Sequence, residues 1–312
     1  MTVAKTGEFG LIARITARLG TGPGVLLGPG DDAALVAAPD ARVLASTDVL
    51  VEGRHFRRDW ASGTEIGRRA AAANLADIAA MGGYPTALLV ALCCPPDLDV
   101  AWAEELADGL AAEAALAGAA VVGGDISASP VLTIAVTALG DLRGTKPVLR
   151  GGARPGDVVA VAGRLGYAGA GLTILSRGFR SPKLLVDAYR HPEVHYAAGP
   201  QANQLGATAM LDISDGLLAD LGHIATASGV AIDVQRAALD VPAAMVDAAK
   251  ALGVDPYSWV LAGGDDHALA ATFPPYADLT DDWHVIGRVS HGGGVTVDGR
   301  RYMGQKGWDH FR

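Results

Sequence analysis

Aspartates stand at the ends of apolar runs and on glycine-rich turns along the whole chain: Asp31, Asp32, Asp48, Asp77, Asp125, Asp212, Asp215, Asp265 and Asp266. A carboxylate beside apolar chain is costly unless it finds a partner, a proton or a cation. Basic residues near these positions are few. If several of the acids converge they repel one another, and a hard divalent cation that takes oxygen ligands is the natural remedy.

The rest of the composition narrows the class. The chain has 312 residues, half of them hydrophobic, which is enough for two packed domains and too apolar for a disordered chain. Acidic residues outnumber basic ones, 34 to 25, for a formal net charge of −9. The lysines are only Lys5, Lys146, Lys183, Lys250 and Lys306, so no Lys-rich stretch neutralises a phosphate backbone and no nucleic acid is expected as partner. Cys93 and Cys94 are adjacent and the only cysteines, which offers neither a disulfide framework nor a Cys-rich zinc site. With no signal-like N-terminus and no apolar run of about 18 residues, the expectation is a cytoplasmic protein with no membrane partner.

Local patterns predict alternating helices and strands, hence an α/β or α+β class. Phe9, Ile12, Ile15 and Leu19 recur at helical spacing before a Gly/Pro-rich stretch from Gly20 to Gly30. Val43 to Thr47 reads as a strand with Asp48 at its C-terminal end. Ser62 and Glu65 have capping-box spacing and open an Ala-rich helix through Asn74 and Asp77, closed by Gly82-Gly83. Strands are expected at 86–92, near 121 and at 131–139, with a helix over 100–116. A Gly/Pro-rich segment between residues 140 and 157 is the best candidate boundary. Beyond it come strands at 157–162 and 209–211 and helices at 167–177 and 216–228. Apolar runs ending in Gly123-Gly124-Asp125 and Gly263-Gly264-Asp265 suggest one device used twice, an acid raised on a Gly-Gly turn at a strand end.

Acid-rich loops with little lysine point toward a phosphate substrate carried in by metal, since Mg2+ typically takes one or two carboxylates, waters and phosphate oxygens. No glycine-rich loop ends in Gly-Lys-Ser/Thr and no Gly-x-Gly turn has a Rossmann context, which disfavours a P-loop kinase and a dinucleotide dehydrogenase.

Taken in order, Gly7-Glu8-Phe9, Gly28-Pro29-Gly30-Asp31-Asp32-Ala33, Ser46-Thr47-Asp48, Gly53-Arg54-His55-Phe56, Asn74-Leu75-Ala76-Asp77-Ile78-Ala79-Ala80-Met81-Gly82 and Gly123-Gly124-Asp125 resemble the thiamine-monophosphate kinase family. So do Asp212-Ile213-Ser214-Asp215-Gly216-Leu217, Gly263-Gly264-Asp265-Asp266 and Gly307-Trp308-Asp309-His310-Phe311. The resemblance covers essentially the whole chain. It implies a two-domain α/β (α+β) fold of the aminoimidazole-ribonucleotide-synthetase type. An ATP- and metal-binding, dimerising domain would span 1–142 and a C-terminal α/β domain 143–312, in a homodimer whose N-terminal sheets join across the interface. It also implies phosphorylation of thiamine monophosphate to thiamine diphosphate, with ATP as co-substrate, several Mg2+ ions and no covalent nucleophile on the enzyme. Carried over position by position, Asp32, Ser46, Thr47, Asp48, Asp77, Asp125, Asp212 and Asp215 are implied metal-binding residues. Gly124, Asp125, Arg150 and Ser214 are implied nucleotide contacts, and His55, Asp265 and Trp308 implied substrate contacts.

The chain departs from the family pattern in three places. The family's Gly-Gly-Glu-Asp-Tyr-Glu-Leu reads Gly263-Gly264-Asp265-Asp266-His267-Ala268-Leu269 here, and Asp is one methylene shorter than Glu. Ala76 stands for a common Ser, and Ile126 for a usual Thr. Two other readings remain: another ATP-dependent synthetase of the same superfamily, or a nucleotide- or thiamine-phosphate-binding protein without catalysis. A lone Asp on a turn more often caps a helix than binds a ligand, and that reading is preferred for Asp31, Asp157 and Asp266.

Overall fold

The structure is a computed structural model that describes residues 1–30, 33–304 and 307. The chain divides into two compact units, one formed by Met1–Ile78 with Gly83–Gly144, the other by Ala79–Gly82 with Thr145–Arg312.

The first unit opens with α1 (Val3–Thr6) and α2 (Glu8–Thr16). The apolar stripe expected on α2 is only partly used: Leu11 is the residue buried, whereas Phe9 is 81% exposed. In the Gly/Pro-rich stretch that follows, the short strands β1 (Val25–Leu27) and β2 (Leu35–Val36) pair antiparallel. Next come β3 (Leu44–Val51), α3 (Gly63–Ala80), β4 (Tyr84–Cys94), α4 (Val100–Leu116), β5 (Ala120–Ala128) and β6 (Thr133–Asp141).

The four long strands form one sheet in the order β3-β6-β4-β5, antiparallel except for the β4–β5 pair. Along β6 the two faces separate cleanly. Ile134, Val136 and Ala138 are fully buried, while Thr133, Ala135, Thr137 and Leu139 are only half-buried. One face of the sheet is therefore core and the other is open along much of its length.

The capping box at the start of α3 forms as predicted. The Ser62 amide donates to Glu65 Oε2 at 2.8 Å, and the Glu65 amide donates to Ser62 Oγ at 3.3 Å. At the other end the Gly83 amide returns to the Ile78 carbonyl at 3.1 Å, and Gly82 takes a φ of 74°.

The second unit carries β7 (Val158–Ala162), α5 (Tyr167–Ser176), α6 (Lys183–Arg190), α7 (Ala198–Gln204), β8 (Ala209–Asp212), α8 (Leu217–Ser228) and β9 (Ala231–Val234). Then come a 3-10 turn (Arg236–Ala238), α9 (Ala243–Leu252), α10 (Pro256–Ala262), β10 (Leu269–Phe273), β11 (His284–Ser290) and β12 (Gly294–Val297). Its six strands run in the order β12-β9-β11-β7-β10-β8, and only the edge pair β12–β9 is parallel. β8 and β10 are buried throughout. Part of the core gathers Ala160, Ala162, Met210, Leu269, Ala271 and Phe273, with the Phe273 and Trp283 rings edge-on at 5.0 Å. Among the described residues, no helix is long and apolar enough to cross a membrane.

The two Gly-Gly-Asp segments do not share one device. Gly123-Gly124-Asp125 lies inside β5, whereas Gly263-Gly264-Asp265 follows helix α10. The apolar run Val260-Leu261-Ala262 is the end of a helix rather than a strand, because Asp255 caps the Tyr257 amide and Pro256 starts the turn.

Candidate active site

In the first unit the acids are placed by β3 and α3. Asp48 lies in the interior of β3 rather than at its end, since Val49-Leu50-Val51 continues the ladder against β6. Ser46 and Asp48 are two residues apart and so share a strand face. Ser46 pairs with Ala138 and Asp48 with Val136, both of them buried. Ser46 Oγ donates to Asp77 Oδ2 of α3 at 2.5 Å, and the Asp48 amide donates to Asn74 Oδ1 at 2.9 Å. Asn74, fully buried, also donates to the Ala70 carbonyl at 2.9 Å. One turn of α3 thus fixes both the hydroxyl–carboxylate pair and the backbone beneath Asp48. Asn74 belongs to the family motif, but its part in fixing β3 carries no signal in the sequence.

Thr47 faces the other way. It donates to the Val136 carbonyl at 3.0 Å and accepts from the Thr137 hydroxyl at 3.1 Å, so its side chain is not grouped with Ser46, Asp48 and Asp77. Asp125 is in register with Ala91, and through it with Ala135 and Val49, the row on the open face of the sheet. Within this unit it is not brought to Asp48. Gly124 has a packing reason of its own, because a Cβ there would stand 1.9 Å from the Val90 carbonyl oxygen. His55 folds back onto the end of β3, where its Nδ1 accepts from the Val51 amide at 2.9 Å; the neutral ring then carries its proton on Nε2. An open cavity of about 460 Å3 lies between α2 and the turn at Gly28-Pro29, and none of these predicted residues lines it.

In the second unit two loops run side by side beyond the ends of β8 and β10. The ladder closes at Leu269 opposite Asp212, and backbone pairing continues past it. The Ile213 amide donates to Ala268, His267 to Ile213 and Asp265 to Ser214, at 2.8 to 3.0 Å. Gly264 is required there, since a Cβ would sit 2.0 Å from the Ser214 carbonyl oxygen. Asp265 and His267 adopt φ values of 64° and 51°, a region that Asp and His tolerate better than most residues.

Asp212 is buried and paired with His267, also buried, through Nδ1 and Oδ2 at 3.0 Å. Ser214 is exposed and Asp215 half-buried beside it. Asp220, on the first turn of α8, reaches back to the amides of Asp215 and Gly216 at 3.1 and 3.0 Å. Its burial pushes its carboxyl up to about 7, against the pull of those amide bonds and with a further push from Asp212 and Asp215. Gly307 lies against Asp215 and Ala219. Arg150 is elsewhere in the unit: its carbonyl accepts from Ser228 Oγ at the end of α8, and its neighbour Leu149 accepts from Met210. These contacts fix its backbone beside Met210, two residues before Asp212 on β8, and at the C-terminal end of α8. Asp32 and Trp308 lie outside the described residues.

Asp266 and Asp157 have structural partners. Asp266 accepts from the amides of Gly166 and Ala168, at 2.5 and 2.8 Å, and so caps α5; Asp157 accepts from the Arg154 amide and the Thr208 hydroxyl.

Ser46, Asp48 and Asp77 offer only hard oxygen donors, which suits Mg2+ and not the softer metals. Among the described residues no three His, Cys, Asp or Glu side chains form a self-sufficient metal cage. A pair of carboxylates fits a cation that completes its shell with water and phosphate oxygens.

Residues 30–142 match the N-terminal domain of AIR synthase related proteins and residues 154–300 the C-terminal domain. A thiamine-monophosphate kinase of Mycobacterium tuberculosis is 46% identical, over 99% of this chain and 93% of its own length. Among solved structures, the thiamine-monophosphate kinase of Stenotrophomonas maltophilia superposes with a TM-score of 0.82 at 34% identity, over 94% of this chain and 96% of that one. AaThiL complexed with AMPPCP and TMP gives 0.81 at 34%, over 100% and 99%. The chain belongs to the thiamine-monophosphate kinase family, built from two AIR synthase related domains.

Proposed function

We propose that the protein is a thiamine-phosphate kinase: it transfers the γ-phosphate of ATP to thiamine monophosphate, giving thiamine diphosphate and ADP, the last step of thiamine diphosphate biosynthesis. The observation that carries this reading is the full-length identity with a thiamine-monophosphate kinase. A relative of the same fold has been solved with AMPPCP and TMP, which supports ATP and thiamine monophosphate as the two substrates.

A terminal phosphate oxygen of thiamine monophosphate attacks the γ-phosphorus in line. A new O–P bond forms as the bond to the β-bridging oxygen breaks, and ADP departs with that electron pair. The attacking oxygen is already ionised near neutral pH, so the chain needs neither a covalent nucleophile nor a strong base. Its work is to position two polyanions. In this reading Asp32, Ser46, Thr47, Asp48, Asp77 and Asp125 of the first unit and Asp212 and Asp215 of the second hold Mg2+. The metal, when bound, screens phosphate charge and stabilises the transferring group. For Thr47, whose hydroxyl is occupied within the sheet, the backbone carbonyl is the group to offer. Gly124, Asp125, Arg150 and Ser214 contact the nucleotide, and the Arg150 guanidinium suits bidentate bonds to phosphate. His55, Asp265 and Trp308 contact thiamine monophosphate: Nε2–H of His55 donates to phosphate, Asp265 accepts from the aminopyrimidine, and the indole covers the cationic thiazolium.

The open face of the first unit's sheet, with Val49 and Leu89 49% and 38% exposed, supports a homodimer in which a second copy covers it. Use of ATP and two free cysteines, Cys93 and Cys94, fit the cytoplasm.

Purified protein given thiamine monophosphate, ATP and Mg2+ should form thiamine diphosphate, measured by chromatography. Asp48→Asn should lower kcat by about 100-fold or more while the melting temperature in metal-free buffer stays unchanged or rises. Wild-type turnover by that variant would remove Asp48 from the metal site, and absence of product across a range of Mg2+ and K+ concentrations would refute the kinase.

A further inference from the structure

Asp212 and His267 form a side-chain pair that the ladder between β8 and β10 does not require. Both side chains are more than nine-tenths buried, with Nδ1 3.0 Å from Oδ2. An ionised carboxylate can only accept, so Nδ1 carries the proton and donates. The backbone is shaped to make this contact: the His267 amide is tied to the Ile213 carbonyl, one residue beyond Asp212, and its φ of 51° lies in the left-handed region. Bringing a β-carbon-bearing residue into that conformation is unfavourable by itself, and here it sets the imidazole against the acid.

We infer that His267 is a positioning residue for Asp212. It holds Oδ2 and leaves Oδ1 as the metal ligand. The inference rests on the kinase reading, in which Asp212 binds Mg2+, and assigns a role to a residue that departs from the family motif. The chemistry favours imidazole over a stronger base. An imidazole donates while neutral, so it fixes the orientation of the carboxylate and leaves its charge for the cation, whereas a guanidinium in the same place would cancel it. Hydrogen bonds behind a ligating carboxylate are a general means of tuning metal affinity.

The test compares His267→Ala, His267→Asn and wild type, each alone and combined with Asp212→Asn. Asn tolerates positive φ, and its Nδ2 can donate from the place of the imidazole Nδ1. Mn2+ is titrated calorimetrically into each protein in the presence of AMPPCP, and the Mg2+ concentration for half-maximal turnover is measured in parallel. His267→Ala should weaken Mn2+ binding about 10-fold or more and raise the Mg2+ requirement, with the KM for thiamine monophosphate at saturating Mg2+ little changed. His267→Asn should restore most of the affinity. In the Asp212→Asn background His267→Ala should cause no further loss. If His267→Ala does not fold, His267→Phe keeps the bulk of the ring without the donor and takes its place. Equal Mn2+ affinity in wild type and the donor-less variant overturns the inference, and so does a loss with Asn as large as with Ala. If wild type itself neither binds Mn2+ nor forms thiamine diphosphate, the kinase reading falls with it.

Discussion

Asp266 shows how little a motif says about the work of each acid in it. It is next to Asp265, yet it is buried and caps α5 through the amides of Gly166 and Ala168. Burial pushes its carboxyl up to about 7, well above the usual value near 3.8, because the amide bonds only partly offset desolvation. The folded state therefore holds this proton more tightly than the unfolded chain does. The stability it brings is complete below about pH 3.8 and is lost as pH rises through about 7, at a slope of at most about 1.4 kcal/mol per pH unit. Asp266→Asn should remove that slope, so thermal melts from pH 4 to 8 should show wild type losing ground to the variant as pH rises. A constant difference across the range would mean that Asp266 does not titrate there. Asp220, also at about 7 for the same first cause, adds a slope of the same sign. A structural, capping use of Asp266 is readable in the sequence as the commoner role of an Asp on a turn; the raised pKa values are not, because burial and backbone partners decide them.

At the scale of elements, local chemistry was readable where the partners are close in sequence. The capping box of α3 follows from Ser62 and Glu65 alone, and the helix it starts carries Asn74 and Asp77 to β3. Ser62→Ala should cost about 1 kcal/mol of unfolding free energy, measured by urea denaturation, with the Mg2+ requirement for turnover unchanged. A shift in that requirement would show that the helix start controls the acids directly. The sequence read Asp48 as the end of its strand because Asp is a poor strand former. The structure carries β3 on to Val51, since continuous pairing with residues 133–140 of β6 outweighs that preference. The same strand splits the motif Ser46-Thr47-Asp48 across two faces, which its order in the chain contains only as a two-residue period. The two Gly-Gly-Asp echoes were misread as one device because an apolar run fits the end of either a helix or a strand.

For the whole molecule, the class and the two-part organisation were legible, and each unit has its own sheet. In the first unit one sheet face is open, and Leu89 stands on it in register with Thr137, which pairs in turn with Thr47. Replacing Leu89 by Asp should convert the proposed dimer to a monomer in light scattering, because a charge would have to be buried against the second copy. A wild-type protein that is monomeric at assay concentrations would show that this face has no such partner.

The sequence alone determined the family, the α/β class, the long helices and strands of the first unit and β7, α5, β8 and α8 of the second, because these depend on residue order and local spacing. Tertiary structure decided what each acid meets. Ser46 reaches Asp77, Asp212 meets His267, and Asp266 is given to a helix end, all through partners 31 to 100 residues apart. Such contacts depend on strand register and on which groups are removed from water, and no short stretch of chain encodes either.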